Sequence, residues 1–164
     1  MAYTRMSRWS ACFLLALVLA ACGPIKLASD YDEKLDQGVT DVQKKVEGLL
    51  TKIERSTKNP STSYVASDYS AIKEDLNVLI TRAEATPKNE VTVKQLYTLG
   101  QALLDSPPSA PEELKLPVAP PGNSLQKRHS RAIELKSDDV TELRTILRVN
   151  FRAILKEELA KKRG

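Results

Sequence analysis

Two thiols, one imidazole and a row of cations are the side chains in this sequence that could do chemistry. Cys12 and Cys22 are the only cysteines and His129 is the only histidine, so no spaced Cys/His set exists to hold a transition metal. His129 lies in the basic, polar stretch from Gln126 to Arg131, away from any cysteine or carboxylate cluster, and reads as a surface histidine. The carboxylate pairs Glu112-Glu113 and Asp138-Asp139 fall in a proline-rich stretch and at a helix start. Acid–base pairs need burial and opposed environments, for which the sequence gives no sign. HExxH, GxSxG and GxxxxGK[ST] are all absent. No residue is nominated for catalysis and no metal is expected. What remains is Arg144, Arg148, Arg152 and Lys156, which recur every four residues. That spacing lines them along a helix as a surface for anionic groups, or else as a solvated helix face with cations where the dipole favours them.

The thiols belong to a different setting. Arg5 and Arg8 precede an apolar run from Ala11 to Ala21 that ends at Cys22-Gly23-Pro24. A basic start, an apolar core of roughly 7–15 residues and small residues at the end describe a secretory signal peptide. The run falls short of the roughly 20 apolar residues that cross a bilayer. Either Met1 or Met6 can serve as its start.

Leu19-Ala20-Ala21-Cys22, an aliphatic residue and two small ones before a cysteine, resembles the lipobox of bacterial lipoproteins. The resemblance covers the first 22 residues. It implies cleavage between Ala21 and Cys22, a diacylglyceryl thioether on the Cys22 sulfur and acylation (a palmitate-type chain) of the new amino terminus. Two or more chains hold a protein stably at a membrane, where one does so marginally. Gly23 stands where an aspartate would signal inner-membrane retention, so the resemblance implies an outer-membrane anchor with the protein facing the periplasm. Beyond this lipid no cofactor is expected. After cleavage no free thiol and no disulfide remain.

The elements that would carry these groups are helical. Leu35, Val39, Val42, Val46, Leu49 and Ile53 form one stripe at helical period, and Tyr69, Ile72, Leu76, Leu79 and Ala83 form another. Asn59-Pro60-Ser61 ends the first. Thr92 and Gln95 fit a capping box, with Val91 and Leu96 as its staple and the helix running to about Leu104. Gly100 permits close approach of a neighbour. Residues 105–123 hold six of the nine prolines and read as an extended spacer. A basic piece from Ser124 to about Lys136 follows. A last helix then opens at Ser137, with an apolar face of Val140, Leu143, Leu147, Ile154 and Leu155, Phe151 and Leu159 beside it, and Asn150 at its edge.

No run alternates at period two. The expected fold is all-α: a small antiparallel bundle of three to four helices with a Pro-rich connection before the C-terminal helix, which packs on the bundle or extends from it. The segments are signal peptide 1–21, lipidated tether 22–29, bundle 30–104, linker 105–123 and basic helical segment 124–164. Residues 22–123 carry 12 Lys/Arg against 15 Asp/Glu, whereas 124–164 carry 11 against 6. This asymmetry directs the C-terminal segment toward something anionic. The expected role is a lipid-anchored structural or interaction subunit with an envelope protein partner. The alternative is a non-catalytic binder of peptidoglycan or lipopolysaccharide. Nucleic acid is not expected in that compartment. The chain's Lys161-Lys162-Arg163-Gly164 ending and proline-broken helices do not match the murein lipoprotein pattern.

Overall fold

The computed structural model describes residues 29–56, 63–116, 123–131, 135 and 137–163. Ala21, Cys22 and the Asn59-Pro60-Ser61 stop lie outside them. The described chain is all-helical: α1 Glu33–Arg55, α2 Ala66–Glu84, α3 Glu90–Leu103, a 3-10 turn Glu112–Leu114, α4 Leu125–Ser130 and α5 Ser137–Lys161. The four long helices close a ring, with α1 touching α2 and α5, and α3 touching the same two. No described helix is long and apolar enough to cross a membrane.

Both sequence stripes are core. Every member of the first, and Leu50 beside it, is buried, as are Tyr69, Ile72, Leu76, Leu79 and Ala83. Each such aliphatic side chain contributes about 1.5–3 kcal/mol through removal from water. α1 starts cleanly because Asp32 caps it, its Oδ1 accepting from the amides of Lys34 and Leu35 at 3.0 and 3.2 Å. At Gly38, α1 faces Leu79 of α2. A methyl group there would lie 2.5 Å from Leu79 Cδ2, so the helix-weakening glycine makes room for a packed neighbour. Gly48 has open space instead.

Three expectations need correction. The start of α3 is Glu90, with Asn89 before it, so Thr92 is not a cap. Thr92 is buried inside the helix, while Val91, the proposed staple, is 54% exposed. The capping-box pattern lost to a tertiary bond: the Thr92 hydroxyl donates to Glu158 Oε1 at 2.8 Å. Second, residues 105–116 do not stand off as a spacer. Pro108 and Pro107 lie against Gly100, and Ala110, Leu114 and Leu116 pack on the core. The neighbour that Gly100 admits is therefore the proline stretch itself. Third, among its described residues the basic piece is helical over the six of α4, capped by Ser124. Likewise Ser29, expected in the tether, is buried and fixed. Its amide donates to Lys88 O at 3.2 Å and its hydroxyl to Asn89 Oδ1 at 3.2 Å.

Candidate functional site

The cationic row starts at Arg144, which faces inward. Its side chain is 16% exposed, with Nε 3.2 Å from Glu47 Oε2 and Nη2 2.9 Å from Glu54 Oε2. The hydrogen bond it donates to Glu54, with Glu47 reinforcing it, holds the guanidinium even more firmly charged than usual. Arg148 is 56% exposed and reaches the other oxygen of Glu47 at 2.6 Å. Arg152 and Lys156 are exposed and pair with no carboxylate among the described residues.

The four cations thus do not share one face. At 3.6 residues per turn, each four-residue step advances about 40° beyond a full turn. The row winds from the α1 contact at Arg144 out toward solvent at Lys156. Two of its members stabilise the α1–α5 contact, and two are spare.

Between α1 and α5 lies a groove of about 630 Å³, lined by Gln43, Glu47, Arg148, Arg152, Leu155, Lys156 and Leu159. Its apolar part is Leu155, half-buried, and Leu159, 44% exposed. Leu159 was expected on the inward face. The stripe that α5 buries is Val140, Leu143, Leu147, Phe151 and Ile154, and its next member is Glu158. Charge hid Glu158 from a hydropathy pattern; the four-residue step from Ile154 was the available signal.

Glu158 is fully buried, and Lys161 beside it nearly so. Lys161 Nζ donates to Glu158 Oε1, to Thr92 Oγ1 at 2.9 Å and to Asn89 Oδ1. Asn89 Nδ2 donates in turn to Ala83 O at 3.1 Å. This cluster joins α5, the α2–α3 turn and Ser29 at one end of the bundle. Among the described residues, Glu158 Oε2 has no hydrogen-bond partner. A buried ion pair with polar neighbours of this kind is a structural lock whose removal on one side alone is costly.

The expectation of a surface histidine is overturned. His129 has no exposed surface. Its Nε2 lies 2.9 Å from Ser63 Oγ and its Nδ1 2.9 Å from the Tyr69 hydroxyl. Tyr64 completes the cluster, edge-on to the imidazole and stacked on Tyr69. A serine hydroxyl within reach of an imidazole has the form of a nucleophile–base pair. Here the third group is a tyrosine and not a carboxylate, and burial pushes the Tyr69 hydroxyl pKa upward, so it remains a neutral phenol. With Ser63 also buried, the pair lacks an open face for substrate. The arrangement ties α4 and the Ser63 segment to α2. The polar context of His129 gave no signal of this.

Among the described residues, no three His, Cys, Asp or Glu side chains are grouped to hold a metal ion. No protein-family model, curated protein or solved structure matches the chain.

Proposed function

We propose that this chain is a lipid-anchored protein of the bacterial cell envelope, held at the outer membrane through Cys22, that works by binding and not by catalysis. It acts as an interaction subunit, docking an envelope protein in the α1/α5 groove. The observation that carries this reading is the pair Arg152 and Lys156, exposed and unpaired beside the accessible Leu155 and Leu159. Charge without an internal partner, next to apolar surface without a cover, suits a protein interface. The pairings Lys45–Asp75 and Lys52–Asp68 run in opposite chain directions, which supports antiparallel helices and a stiff body on which to present the groove.

Two substitutions test it. Cys22→Ser is expected to leave an unprocessed precursor without lipid; cleaved, acylated Cys22→Ser protein would refute the anchor. Arg152→Glu with Lys156→Glu is expected to abolish recovery of a discrete partner after crosslinking in intact cells, and unchanged recovery would remove the groove from the interface.

A second reading draws on the same cations. Spaced one per turn, they also suit peptidoglycan carboxylates or lipopolysaccharide phosphates. That reading predicts sedimentation of the mature chain with sacculi or lipopolysaccharide, weakening steeply as salt rises.

A further inference from the structure

We infer that the occupant of the α1/α5 groove is an acidic amphipathic helix belonging to the partner and lying close to the membrane; this rests on the anchored docking reading above. Three observations select it. Arg152 and Lys156 are spaced about 6 Å apart along α5, and Leu155 and Leu159 repeat at the same interval. A helix laid along the groove presents carboxylates and apolar side chains three and four residues apart at that same pitch. It can answer both rows together. A glycan strand offers carboxylates without a stripe of apolar side chains to cover the leucines. A bilayer surface, flat on this scale, would meet the rim and leave the groove unfilled.

The second observation is where the groove ends. Leu159 lies two positions before Lys161, whose ammonium bonds Asn89 Oδ1, the same atom that accepts from Ser29. The chain from Cys22 to Ser29 spans at most about 25 Å when extended. The groove's near end is thus held close to the lipid, and a helix that fills it must be there too.

The third is the charge at that end of the bundle. Lys34, Lys88, Lys162 and Arg163 are offset by Asp30, Glu33, Glu84, Glu90 and Glu157. The end itself is no cationic pad for lipid headgroups; the spare positive charge is in the groove.

The test places the photoreactive residue p-benzoylphenylalanine at Leu159, and separately at the exposed Ser70 of α2, in the full-length protein in its own cells. Mass spectrometry maps each adduct and reads the acylation of Cys22. The expected result is a Leu159 adduct on a peptide with carboxylates one turn apart flanking apolar residues, next to the partner's own membrane segment or lipid. It should vanish in Arg152→Glu with Lys156→Glu and be absent from Ser70. The mapped peptide, synthesised, should bind the purified mature chain about tenfold more weakly at about 0.3 M than at about 0.05 M salt. Adducts only on lipopolysaccharide, glycan or phospholipid would overturn the inference, as would a peptide without acidic residues or one far from the membrane. So would no adduct from a folded, acylated protein. A protein adduct obtained from Ser70 but not from Leu159 would reject the acidic helix and leave a docking subunit standing. An unacylated Cys22 would instead reject the anchored reading itself.

Discussion

The Nε2 atom of His129 lies 2.9 Å from Oγ of Ser63, 66 positions earlier in the chain. The bond crosses from α4 to the segment before α2, and the Tyr69 hydroxyl on the opposite ring nitrogen makes the imidazole a polar strut inside the core.

Replacing that strut should be costly. His129→Ala leaves a cavity and strands two buried hydroxyls, so a loss of about 2–4 kcal/mol is expected. Urea unfolding followed by circular dichroism would measure it; a loss below about 0.5 kcal/mol would mean that α4 is not held by this ring.

The Lys161–Glu158 pair gives a sharper contrast. Lys161→Met leaves a fully buried carboxylate without its cation and should cost about 3 kcal/mol. Adding Glu158→Gln should recover a large part of that loss. A double-mutant cycle checks this, and additive losses would show that the two side chains act independently.

Within the cationic row, Arg144 and Arg148 should separate. Arg144→Ala removes a largely covered guanidinium shared by Glu47 and Glu54, and about 1–2 kcal/mol is expected. Arg148→Ala breaks a solvent-exposed pair and should cost under about 0.5 kcal/mol. Thermal unfolding of both variants at low and high salt would read the difference.

Asp32 sets an acid limit on stability. Burial alone would raise its pKa, but the Arg82 guanidinium and the Leu35 and Lys34 amides outweigh that and hold the carboxyl below its usual range. A depressed folded pKa contributes stability above the ordinary value of about 3.9 and loses it as pH falls through the folded value. Asp32→Asn keeps a capping oxygen but should lose about 0.5–1 kcal/mol at neutral pH and flatten the decline below about pH 4. Urea midpoints across that range, compared with the parent, decide it.

Gly48→Ala should stabilise α1 by up to about 1 kcal/mol, since open space surrounds the site. Gly38→Ala should gain nothing comparable, because Leu79 must move first. A rise in melting temperature for both would show that α1 and α2 are less tightly packed than their contact implies.

How far the sequence reaches is clear from particular residues. The stripes of α1 and α2 are legible because apolar side chains at helical period have one stable destination. Thr92, His129 and Glu158 were not, because each is buried by a partner brought from far along the chain, and no local pattern announces that partner. The cationic row was legible as a row and misread as a face, since a strict four-residue interval slips against the helical turn. The proline stretch was misread as a spacer because its composition excludes long helix but not packing, and the hollow at Gly100 receives it.

Ser29 and Lys161 meet at one atom, Asn89 Oδ1, and that junction also makes a mechanical statement. Tension arriving through Ser29 passes directly into α1 and, across Asn89, into the end of α5. From there it runs along the two helices that Glu47, Arg144 and Arg148 clasp together. The load path is short and ends at the groove, with α2 and α3 as bracing. Under the anchoring and docking proposed above, a pull between lipid and partner would load the buried Lys161–Glu158 pair first.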